Sequence, residues 1–179
     1  MIKCVKTKHK KIKLISVKNC INKEVYQMYQ DIPKLEIGSI NKINGISYEE
    51  FKKIFKSYIE EETVINKELN TTTKRYILYC DNFPIGELGI RTTINDFWIN
   101  KGSQIFYKIR KSKRGQGYGN LILHLGLKKA KELGFDKIRI NCDNKNIASR
   151  KIIIKNGGIE DIVNYKTKDG YSTSYIIKL

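Results

Sequence analysis

Apolar and polar positions alternate in short blocks along most of the chain, interrupted by stretches with helical spacing. Ile12 to Val17 predicts a first strand, and Asn22 to Asp31 a short helix. That helix stops at Ile32-Pro33, because the residue before proline avoids the helical region. Lys34 to Gly45 reads as a loop. Ser47-Tyr48-Glu49-Glu50 is a capping box, in which the serine oxygen and the glutamate carboxylate satisfy orphan amides. The helix it opens should run to about Glu62, with Phe51, Ile54, Phe55, Tyr58 and Ile59 on one face. Arg75 to Cys80 and Ile85 to Arg91 predict two strands around a turn at Asp81-Asn82-Phe83-Pro84. Thr92 to Gly102 is a long connection whose Phe97 and Trp98 either anchor a core or line a binding site.

The strand-like run Gln104 to Ile109 gives way to the charged Arg110-Lys111-Ser112-Lys113, which should leave the sheet. Arg114-Gly115-Gln116-Gly117-Tyr118-Gly119 then leads into a helix from Asn120 that stops at Leu133-Gly134. Leu121, Ile122, Leu123 and Leu125 make its first half apolar nearly all round, which suits burial against a sheet. Lys137 to Cys142 reads as a strand, and a helix opening at Asn146 ends at Gly157. Strands at Ile159 to Lys166 and Tyr171 to Lys178 flank a turn signal, Lys168-Asp169-Gly170. The order β-αα-β-β-β-α-β-α-β-β predicts one mixed α/β domain over 1–179, without repeat or linker.

Composition narrows this little. The length of 179 residues with 40% hydrophobic content supports one buried core. No run reaches the ~18 apolar residues of a membrane span, and Met1 to Lys6 lacks the apolar centre of a signal peptide. Cys4, Cys20, Cys80 and Cys142 are scattered, which points to free thiols in a reducing cytoplasm and to no metal site. The net charge of +17 raises nucleic acid as a partner. Against it, arginine occurs only at 75, 91, 110, 114, 139 and 150, while lysine is spread from Lys3 to Lys178. A solvated lysine-rich surface explains the charge better, with residues 1–11 as a basic arm.

The chemistry sits in the glycine-rich turn. Glycines at 115, 117 and 119 admit positive φ and close approach by a ligand, and the following helix offers unpartnered amides and a positive dipole end. Such a turn suits an anion, above all a phosphate. A Rossmann loop fails on spacing, because its last glycine would fall at Asn120; a Walker loop fails because no Gly-Lys-Ser/Thr occurs. What fits is Arg114-x-x-Gly117-x-Gly119. This resembles the pyrophosphate loop of the GNAT N-acetyltransferase superfamily. Asn146-Ile147-Ala148-Ser149-Arg150-Lys151, running on to Asn156-Gly157-Gly158, resembles the family's later motif, worded as in a branch of predicted acetyltransferases. The resemblance covers about Tyr76 to Leu179.

The resemblance implies a mostly antiparallel central sheet of six to seven strands flanked by about four helices. It implies acetyl-coenzyme A as cosubstrate, no metal, and an amine of a small molecule or protein as acceptor. In the family the strand before the pyrophosphate loop splays from its neighbour, which would turn the backbone of Tyr107 to Arg110 toward the cofactor. Cofactor contacts would come from Ile109, Arg110, Arg114, Gly115, Gln116, Gly117, Tyr118, Gly119, Asn146 and Ser149. Lys113, Lys151 and Lys155 are candidates for the ribose phosphate. Many family members carry a tyrosine seven residues after the motif asparagine; here that position is Ile153. Tyr165 and Tyr175 are the leading substitutes as proton donor, with Tyr107 and Tyr171 behind them. Glu87 leads as base, with Asp143 as the other choice, and neither His9 nor His124 is assigned to chemistry. Glu36 and Asp31 are placed to meet a cationic amine, although a solvated loop explains both. A homodimer is left open. The rival readings are a ribosomal-protein N-terminal acetyltransferase, a silent coenzyme A sensor and a nucleic-acid-binding module.

Overall fold

The computed structural model describes residues 10–93, 95, 102–167 and 170–179, with the backbone alone for 163–165. One antiparallel sheet holds β1 (Ile12–Ser16), β4 (Thr73–Cys80), β5 (Phe83–Arg91) and β6 (Ile105–Ile109), in the order β1-β4-β5-β6. A second holds β7 (Lys137–Asp143), β8 (Ile159–Thr167) and β9 (Gly170–Lys178), in the order β7-β9-β8. Between β1 and β4 come α1 (Lys23–Gln30), the hairpin of β2 (Leu35–Glu36) and β3 (Ser39–Ile40), and α2 (Tyr48–Glu60). Helix α3 (Tyr118–Glu132) joins β6 to β7, and α4 (Ile147–Lys155) joins β7 to β8.

The expected strands and helices are present, and the central sheet is forked. Strands β6 and β7 meet at one end only, where Gln104 N–H donates to the Arg139 carbonyl at 2.9 Å and the Gln104 amide oxygen accepts from Arg139 N–H at 2.7 Å. Past that clasp they carry no ladder. The fork positions the site.

Strand alternation in β4 assigns its side chains to two cores. Leu78 and Cys80 face α3, under Ile122, Leu123 and Leu127, in a core that also takes Ile138, Ile140 and Tyr175 from the second sheet. Ile77 and Tyr79 face α1 and α2, against Met28, Tyr29, Phe51 and Phe55. Phe51 and Phe55 are fully buried, with ring centroids 4.4 Å apart; truncating either to alanine should cost about 3–5 kcal/mol. The capping box of α2 forms as its sequence predicts.

Three local expectations need correction. Lys34 to Gly45 is not all loop: β2 and β3 pair across a turn whose Gly38 has φ +72°. The turn between β4 and β5 is only Asp81-Asn82, both at positive φ (50° and 66°), so Phe83 and Pro84 belong to β5. This two-residue geometry matches the strand twist, and Asp and Asn tolerate it. The glycine-rich turn ends two residues earlier than expected, at Gly117, with Tyr118 already helical. The Phe97–Trp98 connection, the Lys168-Asp169 turn, Cys4, and His9 with most of the basic arm lie outside the described residues. Cys20, Cys80 and Cys142 are free and buried, and burial pushes the Cys20 and Cys142 thiols up from their ordinary pKa. Among the described residues no helix is long and apolar enough to cross a membrane, and no cluster could hold a metal ion.

Candidate active site

A cleft of about 710 Å³ opens where β6 and β7 part. Tyr107 and Ile109 of β6 form one wall, and Ser149 and Ile152 of α4 the other. The turn at Arg114 to Gly117 closes one end, and the β2–β3 hairpin lies over the top through Leu35, Glu36 and Ile37.

The turn owes its shape to the residues that the sequence singles out. Arg110 N–H still donates to Ile85 O of β5, and the chain then leaves the sheet through a short 3₁₀ turn, Lys111–Lys113. Gly115 and Gly117 sit at φ +71° and +83° with open space where a Cβ would be, so glycine is needed for conformation and leaves the backbone accessible. Gly117 is the N-cap of α3 and supplies no side chain to its first-turn amides, which leaves donors at the positive end of the dipole. Gly119 has a different role. A Cβ there would lie 2.7 Å from Ile152 Cδ1, so it lets the start of α3 pack closely against the middle of α4. Asn146 caps α4 by accepting from Ser149 N–H at 3.1 Å.

Backbone alternation sets what β6 presents to the fork. Arg91 N–H donates to Gln104 O and Arg110 N–H to Ile85 O, so even-numbered residues of β6 bond toward β5. The N–H and C=O groups of Tyr107 and Ile109 therefore turn toward β7, along the cleft. Between the walls, the Tyr107 hydroxyl lies 3.0 Å from Ser149 Oγ. Burial pushes the Tyr107 phenol up to about 12, against the opposing hydrogen bond from Ser149.

Ile109, Arg114, Gly115, Gly117, Gly119, Asn146 and Ser149 are thus brought together on the cleft as the sequence suggests. Arg114 reaches it already engaged: Nε donates to Ile109 O at 2.9 Å, and Nη1 and Nη2 donate to the two Glu36 carboxylate oxygens at 2.5 and 2.9 Å. Three expected cofactor residues do not line the cleft. Arg110 is paired with Asp31 at 2.8 Å, Gln116 turns back to Ser112 O, and Tyr118 is buried with its hydroxyl on Cys80 Sγ. Lys113 leans over the Phe83 ring, and Lys151, Lys155 and His124 are exposed off the cleft.

The leading candidates for acid and base whose side chains are described, Tyr175 and Glu87, lie away from the cleft. Tyr175 is fully buried, its hydroxyl accepting from Arg150 Nε at 3.0 Å and donating to Glu160. Glu87 is 1% exposed on the α1–α2 side of the sheet, 2.8 Å from Arg75 Nη1. Asp143 accepts Lys145 N–H and shapes the turn into α4, and Tyr171 is exposed off the cleft. The Tyr165 side chain lies outside the described residues. Ile153 is fully buried in the core, and its neighbour Ile152 lines the cleft beside Ala148 and Ser149. Two participants go beyond the sequence reading: the hairpin, whose signal is Gly38-Ser39 between Ile37 and Ile40, and Tyr107, which shares a strand face with Ile105 and Ile109.

Known proteins place this arrangement. Solved structures superpose over nearly the whole chain. The ribosomal L7/L12 α-N-protein acetyltransferase RimL in complex with coenzyme A is 19% identical, with TM-score 0.63 and 94% of each chain covered. A spermidine N-acetyltransferase SpeG chimera from Vibrio cholerae and hSSAT is 14% identical, with TM-score 0.64 and 93% of this chain and 95% of that chain covered. The acetyltransferase yncA from Salmonella typhimurium with acetyl-CoA is 12% identical, with TM-score 0.63 and 96% and 95% covered. By sequence, no curated protein matches the chain. The profile of the acetyltransferase (GNAT) domain matches residues 29–159, well over half of the sequence, and the chain belongs to the GNAT acetyltransferase family.

Proposed function

We propose that the protein transfers the acetyl group of acetyl-coenzyme A to a primary amine, and that the fork between β6 and β7 is where it does so. The observation that carries this reading is the glycine turn at the head of α3, with open space at Gly115 and Gly117 and no side-chain cap on the amides behind it. A pyrophosphate fits those donors, and the Tyr107 and Ile109 backbone groups run along the cleft where an extended amide-bearing arm would pair with them. Acetyl-coenzyme A supplies an activated thioester. The protein aligns it with a neutral amine, which is worth far more than any single acid or base.

Tyr107 is the proton donor this geometry supports. It is the tyrosine among the described residues that lines the cleft, and its hydroxyl is held by Ser149 at the start of α4. A phenol raised to about 12 stays protonated at neutral pH and can donate to a departing thiolate as the carbon–sulfur bond breaks. The amine's own proton leaves to solvent. Structural relatives include an acetyltransferase of a protein α-amino group and one of spermidine, and both acceptors carry primary amines. Buried free thiols at Cys20, Cys80 and Cys142 agree with a reducing cytoplasm.

Calorimetry with coenzyme A tests the site. The wild type should bind, and Gly117→Val should not, since a branched side chain strains the φ +83° turn and fills the approach to the amides. Equal affinity in the two would sink the assignment. Once an amine panel yields turnover, Tyr107→Phe should slow it ten-fold or more, up to the ~10²–10⁴ that general acid–base groups contribute, with coenzyme A affinity intact. Unchanged turnover would leave water as the donor.

A further inference from the structure

The cleft carries one acidic side chain among its described lining residues, Glu36, and two basic ones, Lys108 and Arg114. Glu36 sits on the hairpin that covers the cleft and makes a bidentate pair with Arg114. That arginine is the positive group beside the glycine turn. Lys108 is otherwise engaged, its Nζ donating to Ile40 O of the same hairpin at 2.7 Å. Asn146, at the start of α4, reaches Ile37 O from the other wall at 3.5 Å. The hairpin thus touches both walls of the cleft. Its base is fixed by Asn41, whose amide donates to Tyr29 O and Ile32 O at 2.8 and 2.7 Å.

We infer that Glu36 exchanges partners during the reaction: it neutralises Arg114 in the free protein, and holds the ammonium group of the acceptor once a pyrophosphate has taken Arg114. This rests on the reading of the cleft as the coenzyme A site. The physical reason is competition for one guanidinium. A carboxylate and a diphosphate both suit the planar donor face of Arg114, and the diphosphate also gains the amides of the glycine turn. Displaced from Arg114, the Glu36 carboxylate stays over the cleft, because Lys108 and Asn146 hold the hairpin backbone and not its side chain. A protein of net charge +17 repels a cationic amine in general, so a freed carboxylate at the reaction cleft gives that amine its local attraction. Each ligand then strengthens the other by the same factor, since coupling between two binding sites is reciprocal.

Coenzyme A and n-butylammonium serve as the two probes, at low salt. Glu36→Gln should bind coenzyme A about three- to ten-fold more tightly than the wild type, the range for losing a partly exposed charged competitor. In the Arg114→Ala background the same change should have no effect. In a titration followed by NMR, n-butylammonium should bind wild-type protein saturated with coenzyme A at least about three-fold more tightly than free protein, and Glu36→Gln should abolish that difference. Coenzyme A affinity unchanged or weakened by Glu36→Gln, or ammonium binding indifferent to it, overturns the exchange while leaving the coenzyme A site standing. A wild type that binds no coenzyme A removes both.

Discussion

Two arginine–glutamate assemblies in this molecule use the same groups at similar distances and do different work. Arg75 lies between β4 and α2 with Nη1 on Glu87 at 2.8 Å and Nη2 on Glu61 at 3.0 Å, and its guanidinium sits 3.9 Å over the Tyr58 ring. Its side chain is 11% exposed and that of Glu87 1%. Arg114 holds Glu36 with two equally good bonds, but the side chains are 40% and 25% exposed. Burial pushes Arg75 toward losing its proton, yet Glu87, Tyr58 and Glu61 outweigh it and keep the arginine charged. Without water, no third party can replace either partner. Beside the cleft water competes continuously, so an arriving phosphate can too. Burial, more than bond length, decides whether such a pair is a fixture or an exchangeable contact.

The largest effect should follow from breaking the buried assembly. Glu87→Gln removes the more deeply buried of the two charges that face Arg75 and, with Glu61 still in place, should cost about 3 kcal/mol, the low end for breaking a buried pair. For a chain of this size that lowers the melting temperature by roughly 6–12 °C. It should leave coenzyme A affinity unchanged, because Glu87 does not reach the cleft. A loss of turnover at full stability and full cofactor affinity would instead restore Glu87 as a base.

The pair between Arg110 and Asp31 stands between these extremes, with side chains 12% and 27% exposed. Asp31 accepts from Arg110 Nε at 2.8 Å and from Ser112 Oγ and N–H at 2.5 and 3.3 Å. Burial pushes its carboxyl up, but those bonds outweigh it and hold the pKa below the ordinary 3.8. A carboxylate with a depressed folded pKa contributes stability that is present above its unfolded value and is lost as pH falls through the folded one. Asp31→Asn should therefore cost about 1–3 kcal/mol at neutral pH and flatten the acid-side loss of stability below about pH 4. An unchanged acid slope in urea titrations of the variant would show that the Arg110 bonds fail to form in solution.

How far the sequence could be read follows the same division between backbone and side-chain chemistry. The glycine turn and the helices beside it were legible because they depend on backbone: Arg114-x-x-Gly117-x-Gly119 and Asn146-x-x-Ser149 encode a turn and two helix starts at fixed local spacing. The fork was legible only through the family resemblance, since nothing in the residue pattern marks the clasp at Gln104 that closes its base. The acid and base were not legible, because they depend on which face a side chain takes. Tyr175 alternates with Thr173 and Ile177, all three buried, and that pattern already argued for core. Glu87 lies in a strand buried on both faces, where alternation says nothing. Its partner Arg75 is brought beside it only by the pairing of β4 with β5. The β2–β3 hairpin was missed because two-residue strands carry almost no periodic signal.

The smallest effect is the one that tests the comparison most sharply. Glu36→Gln makes the same chemical change as Glu87→Gln, in a pair with equally short bonds, so the difference between the two isolates burial. A solvated glutamate that loses Arg114 regains water, and the released guanidinium keeps Ile109 O as an acceptor. The expected cost is therefore less than about 1 kcal/mol, as for exposed pairs, and should fall further as salt screens what remains. The hairpin should stay in place, because Lys108 and Asn41 hold its backbone without help from Glu36. Thermal melts of the two glutamine variants, at low and high salt, give the answer directly. If Glu36→Gln destabilises the protein as much as Glu87→Gln, the cleft pair is a structural fixture. Arg114 would then not be free to change partners, and the distinction drawn from burial would fail.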